Sequence, residues 1–158
     1  MEQKKINYLD GDATNPQSEG QKLIIHVCND IGAWGQGFVL AISKRWDKPE
    51  YEYHKWKNSG KLFSLGEVQF VEVTSDIIVA NMVGQRGIRR NFSKPPIRYK
   101  AIDTCLSKVA DKAIELNASI HMPRIGCGLA GGQWSEIETL IKKNLISRNL
   151  DVFVYDFD

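Results

Sequence analysis

The chain predicts an α/β fold, and three observations lead there. Segments of strand character alternate with segments of helical spacing along its 158 residues. Leu23-Ile24-Ile25-His26-Val27-Cys28 is a nearly continuous apolar run, which suits a strand buried on both faces of a parallel sheet. Glycines cluster at 32–37 and again at 126–132, each time between a strand candidate and a helix candidate. Open α/β sheets place their ligands there, beyond the carboxyl ends of the strands. At this length one domain spanning residues 1–158 is expected.

Ile6-Asn7-Tyr8-Leu9 reads as a short strand, ended by the turn Asp10-Gly11-Asp12-Ala13-Thr14. The run at 23–28 is the second strand. It passes through Asn29 into the first glycine loop, and a helix follows with apolar residues at 38, 39, 42 and 46. Residues 48–60 are polar and rich in aromatics. Tyr51, His54 and Trp56 would give a short helix one apolar stripe, for packing and with no site. Residues 66–73 alternate polar and apolar, and 77–83 form a second apolar run, so the two read as a hairpin. From Tyr99, apolar positions 102, 106, 109, 113 and 116 recur at helical spacing, ending near Asn117. Ser119-Ile120-His121-Met122 is the next strand, with His121 structural. Ser135-Glu136-Ile137-Glu138 has a capping-box pattern with Ser135 as N-cap. It opens a helix over 135–148, with Trp134, Ile137, Leu140, Ile141 and Leu145 facing inward. Val152-Phe153-Val154-Tyr155 is the final strand, and Phe157 lies just past it, placed to pack on a flat base.

Composition narrows the function. A net charge of +2 is too weak to argue for nucleic acid by itself. No apolar run approaches the ~18 residues of a membrane span. The start, Met1-Glu2-Gln3-Lys4-Lys5, leads straight into a strand and does not read as a signal peptide. Cys28, Cys105 and Cys127 are odd in number and lack CxxC spacing, so they read as reduced thiols of a cytoplasmic protein, not as a disulfide framework or a zinc site.

The chemistry gathers at the two glycine loops. A strand, a glycine loop and a helix N-terminus together make an anion site, through unpaired amides and the positive end of the helix dipole. Gly126, Gly128, Gly131 and Gly132 would let the backbone approach such a ligand, with phosphate or diphosphate the natural cargo. The sequence is neither a Walker A loop nor a GxGxxG fingerprint. Two such loops could close over one extended ligand from both sides. Residues 84–98 form a basic loop with Arg86, Arg89, Arg90, Lys94 and Arg98 and no acid. It reads as a solvated loop, as a lid with one Arg bidentate to a phosphate, or as a nucleic-acid contact. His26 reads as a satisfied core histidine or as a base. Cys127 stands near a helix N-terminus, but no His is placed to activate it, and it reads as packing.

Met122-Pro123-Arg124-Ile125-Gly126-Cys127-Gly128-Leu129, followed by Gln133-Trp134, resembles the second ligand loop of macrodomains, which are ADP-ribose-binding modules. The branch it resembles holds yeast-type ADP-ribose-1''-phosphate phosphatases and small ADP-ribosyl hydrolases. The likeness spans residues 11–157. It implies a three-layer α/β/α sandwich with a central mixed sheet and one ADP-ribose cleft at the strand ends. Asp12 and Ala13 would hold adenine, with Phe157 packing near it. Ile125, Gly126, Cys127, Gly128 and Leu129 would cradle the diphosphate. Asn29, Gly35, Gln36, Gly37 and Phe38 would hold the distal ribose, with Trp34 walling the pocket. Gly84-Gln85 and Ile97-Arg98-Tyr99 also resemble the phosphatase-like branch, and Gln85 and Arg86 are the candidate ligand contacts of that loop.

The resemblance implies no metal and no cofactor. It implies ADP-ribose, a derivative, or an ADP-ribosylated protein as partner, and no membrane. Hydrolysis at the distal ribose, by a phosphatase or deacylase, would use water held near Asn29 with His26 or Asp12 assisting. A reader without turnover is the alternative, and a nucleic-acid binder using residues 86–98 is the third. Related glycohydrolases use a Lys from the loop after the central strands and an Asp directly after Gly-x-Gly-Leu. Here Gly84, Gln85 and Ala130 stand there, so lysine-dependent removal of ADP-ribose from proteins is not expected.

Overall fold

The computed structural model describes residues 4–89 and 94–157. Among these, six strands form one sheet: β1 (Ile6–Asp10), β2 (Lys22–Asn29), β3 (Val68–Glu72), β4 (Ile77–Gln85), β5 (Ser119–Met122) and β6 (Val152–Asp156). The helices are α1 (Phe38–Arg45), α2 (Lys48–Ser59), α3 (Tyr99–Leu116) and α4 (Trp134–Asn144). The strand order is β1-β6-β5-β2-β4-β3. Every pair is parallel except the expected β3–β4 hairpin, in which Val68 faces Met82 and Glu72 faces Ile78. The sheet is therefore mixed, with its antiparallel strand at one edge.

The alternation of side chains along β2 explains the layers. Leu23 and Ile25 join the core beneath α3 and α4, with Ile102, Leu106, Ile137 and Ile141. Ile24 and Cys28 face the other way, into a smaller cluster with Val39, Ile42 and Tyr53 of α1 and α2. A strand that feeds two cores carries apolar side chains on both faces, and the one polar residue within 23–28, His26, is bonded to Asn81. The result is a three-layer α/β/α sandwich.

α3 follows its expected periodicity. It buries Ile102, Leu106, Val109 and Ala113 and ends at Asn117, which adopts the left-handed conformation (φ 53°). Each large aliphatic side chain buried this way contributes about 1.5–3 kcal/mol.

Two expectations need correction. The buried stripe of α2 is Pro49 and Tyr53, while Tyr51 is 62% exposed. Positions 49, 53 and 56 share a helical face, and 51 does not. α4 begins one residue early, with Gln133 as N-cap and no side-chain cap, so the capping box at Ser135 does not form. Tyr99 Oη accepts the Gln133 amide (2.8 Å), and the Glu138 carboxylate accepts the Tyr8 hydroxyl instead of reaching back. The helix also stops at Asn144, and a short 3₁₀ turn covers 146–148.

Candidate ligand cleft

Three hollows that share walls run across the carboxyl ends of β6, β5, β2 and β4. The outer hollow, about 540 Å³, is bounded by the 11–14 turn, α1, Tyr155 and Phe157. The middle one, about 200 Å³, lies between the start of α1 and the second glycine loop. The far one, about 350 Å³, is lined by Asn29, Gly35, Gln36, Gln85 and Leu129 among others. Gly37, Phe38 and Pro123 belong to both the outer and middle hollows, and Gln36, Gln85 and Leu129 to both the middle and far ones. Phe157 (78% exposed), Leu129 (64%) and Leu40 (49%) leave apolar surface at its mouth. Apolar walls with a few fixed polar groups suit a small ligand.

The middle hollow is built to attract negative charge. Gly37 caps α1 with φ 84°, there is no side-chain cap, and the first turn holds no acid. The positive end of the helix thus faces the hollow uncompensated. Opposite it, the second glycine loop is pinned by its own bonds, Gly131 N–H to Gly128 O (3.1 Å) and Gly132 N–H to Gly126 O (2.7 Å). The amides of Gly126, Gly128 and Leu129 have no acceptor among the described residues.

The glycines divide by role, contrary to the expectation that all four serve the ligand. A Cβ on Gly132 would stand 2.4 Å from the Gly126 carbonyl oxygen, and one on Gly126 would stand 2.6 Å from Ile97 Cδ1. Gly132 serves the fold, and Gly126 serves both the fold and the hollow. Gly128 has nothing within 4 Å and is the open one. Ile125, Gly126, Gly128 and Leu129 line the hollow. Cys127 is not among its walls. It packs against the main core, and burial pushes its thiol up.

At the outer end, Asp12 is locked in place. Its Oδ1 accepts the Thr14 amide (2.8 Å) and the Thr14 hydroxyl (2.6 Å), and Arg45 Nη2 lies 3.3 Å from Oδ2. Burial alone would raise this carboxyl, but the bonds from Thr14 and Arg45 outweigh it and hold it below its ordinary value. Ala13 and Phe157 line the same hollow.

Three other expected site residues carry structural bonds, and two of them, Asn29 and His26, still line the cleft. The Asn29 side chain folds back on its own loop. Oδ1 accepts the amides of Ile31 (3.1 Å) and Ala33 (3.0 Å), and Nδ2 donates to the Ala33 carbonyl (2.8 Å). One amide hydrogen is left to turn toward a ligand. Trp34 is buried in the smaller core, edge-on to His26, with its indole N–H on Ser43 (2.8 Å). It supports the loop from beneath and is no wall. His26 is 1% exposed, with Nε2 2.5 Å from Asn81 Oδ1, and burial pushes its pKa down to about 4. The ring forms part of the floor of the middle hollow, with Nε2 taken by Asn81, and burial makes it a weak base there.

Arg86 lies past the bend after β4 and lines a basic hollow with Asp30, Arg89 and Arg98, which shares Ile88 with the far hollow. Arg98 spends Nη1 on the carbonyls of Pro95, Pro96 and Ile97. Arg90 lies outside the described residues. The far hollow has no carboxylate, imidazole or amine among its described walls. Its one thiol, Cys28, is pushed up by burial.

No protein-family model matches the chain. A solved macrodomain protein of Streptomyces coelicolor superposes with a TM-score of 0.87, at 52% identity, over 96% of this chain and 99% of that one. The chain belongs to the macrodomain family. A Bacteroides thetaiotaomicron protein of unknown function is also similar to this macrodomain, at 54% identity, TM-score 0.95, covering 96% and 98%. Among curated proteins, the Mus musculus chromodomain-helicase-DNA-binding protein 1-like is 32% identical over 99% of this chain. The macrodomain spans only 18% of that relative and 15% of its Danio rerio counterpart. A Candida albicans ADP-ribose 1''-phosphate phosphatase is 28% identical over 87% of this chain and 92% of its own.

The macrodomain's first loop depends on a residue that the sequence reading passes over. Tyr53, on α2, is buried, and its hydroxyl stands 2.7 Å from the Asn29 carbonyl and 2.9 Å from Asn29 Oδ1. Nothing in the sequence of residues 48–60 signals this, because the partner lies 24 residues away. Tyr53→Phe is expected to cost about 1–2 kcal/mol and to speed amide exchange at Ile31 and Ala33. Unchanged protection at both amides would show that Asn29 holds the loop alone.

Proposed function

We propose that the cleft binds ADP-ribose, with adenine in the outer hollow, the diphosphate in the middle and the terminal ribose in the far one. One observation carries this reading. A site favourable to anions, made from an uncapped helix start and unpaired loop amides, lies between an apolar hollow with a fixed carboxylate and a neutral polar hollow. A nucleoside diphosphate with a second sugar has the same order of chemistry. The likeness to the Candida albicans protein agrees with it.

Within this reading the protein recognises ADP-ribose, free or carried on a protein, without needing to turn it over. The absence of an acid or base among the described walls of the far hollow supports recognition. Hydrolysis at the distal ribose is the second reading, favoured by the match to 92% of a named phosphatase.

Calorimetric titration with ADP-ribose tests the first. Binding in the micromolar range is expected, and Asp12→Ala is expected to weaken it about tenfold or more. No binding by the unaltered protein would overturn the reading. Release of inorganic phosphate from ADP-ribose-1''-phosphate would decide for the hydrolase.

A further inference from the structure

Arg45 is the last residue of α1, the helix whose first turn faces the middle hollow. Eight residues of helix span about 12 Å, so one rigid element reaches from the anion site to the Asp12 turn. At that end Arg45 Nε donates to Thr14 Oγ1 (2.6 Å), and Thr14 Oγ1 donates to Asp12 Oδ1 (2.6 Å). The directions are forced. A guanidinium only donates, so the hydroxyl oxygen accepts from Arg45, and its single hydrogen goes to the carboxylate. Oδ1 already takes two donors from Thr14. Oδ2 has one contact, Arg45 Nη2 at 3.3 Å, and keeps acceptor capacity beyond it. Asp12, Thr14 and Arg45 all line the outer hollow.

We infer that Arg45, acting through Thr14, is a positioning residue that fixes Asp12 as a one-way acceptor and so makes the outer hollow select a purine with an exocyclic amine over one with a carbonyl at the same place. The inference rests on ADP-ribose binding and goes further, to base selection by a residue on a different element from the acceptor. An amine donates to the free oxygen. A 6-oxo group would set its own lone pairs against a carboxylate that Thr14 and Arg45 prevent from turning away. A mismatch against a fixed acceptor of this kind discriminates between the two bases.

The test compares ADP-ribose with its hypoxanthine counterpart, inosine diphosphate ribose, on the unaltered protein and on Arg45→Gln, Thr14→Val and Thr14→Ser. The unaltered protein is expected to prefer ADP-ribose by about a hundredfold. Arg45→Gln and Thr14→Val are expected to shrink that preference about tenfold, while Thr14→Ser keeps it. Arg45 is half-exposed at a helix end, so Arg45→Gln should fold, and Thr14→Val covers the case in which it does not. A preference unchanged in both variants, or equal affinities in the unaltered protein, would overturn this inference and leave ADP-ribose binding standing. Failure of the unaltered protein to bind either ligand would overturn both.

Discussion

Lowering the pH from 7 to 4 is expected to remove about 6 kcal/mol of stability, comparable to the whole margin of a typical domain. His26 and His121 carry this effect. Burial pushes both down to about 4, and for His121 the Lys22 ammonium adds to it. In the unfolded chain each titrates near 6.5. Between these values the unfolded state binds protons that the native state refuses, so stability is full above about 6.5 and falls steadily toward 4. Each histidine accounts for about 3 kcal/mol. Charging is resisted because both rings are out of water. The Asn81 oxygen on His26 Nε2 pulls the other way and does not offset the burial, while His121 is enclosed by Tyr155 Oη (2.7 Å), Ser119 Oγ (2.8 Å) and the stacked Phe153. Below about pH 4, the depressed carboxyls of Asp12 and Asp103 lose their contributions as well. Urea midpoints across this range measure the slope. His121→Gln should reduce it by about half, and a flat profile between pH 6.5 and 4.5 would refute the assignment.

Gly132→Ala is expected to cost about 2–4 kcal/mol and to abolish ligand binding in the middle hollow. The new Cβ would stand 2.4 Å from the Gly126 carbonyl oxygen, the same atom that accepts the Gly132 amide. Main-chain atoms cannot step aside as a flexible side chain can, so the turn has to open, and the unpaired amides of Gly126 and Gly128 lose their common direction. Gly128→Ala is the matched control. Nothing lies within 4 Å of its added methyl, so the melting temperature should stay nearly unchanged. Melting curves and ADP-ribose titrations on both variants separate loop geometry from ligand approach. Equal melting temperatures would show that the loop tolerates the added carbon.

The sequence carried what is local. The unbroken apolar run of β2, the periodicity of α3 to its stop at Asn117, and the placement of both glycine loops all follow from residues that are neighbours along the chain. The site's finer duties depend on partners far away in sequence. Asp12 is held by Arg45, 33 residues on, and Asn29 by Tyr53. Trp34 in a glycine loop suggests a pocket wall, yet the loop folds inward and puts the ring against Tyr53. Glu138 at the right spacing suggests a capping box, yet Tyr8 of the edge strand claims its carboxylate. Arg86 sits next to Gln85, but the turn after β4 sends the two side chains to different hollows.

The edge pairing of β1 with β6 bears on how the cleft comes into being. Ile6 lies opposite Val152, and Asn7 Nδ2 donates to the Val152 carbonyl across 145 residues. Contacts that close so long a loop form late, since chain entropy opposes them until the rest is ordered. The 11–14 turn follows β1 and Phe157 follows β6, so the outer hollow has a wall from each. A chain leaving the ribosome can assemble β2, β3 and β4 while β6 is still being made, but it cannot yet form that hollow. The same pairing places the hollow among the first parts to open when the sheet frays from this edge, so its occupant would act as a clasp on the fold's last joint.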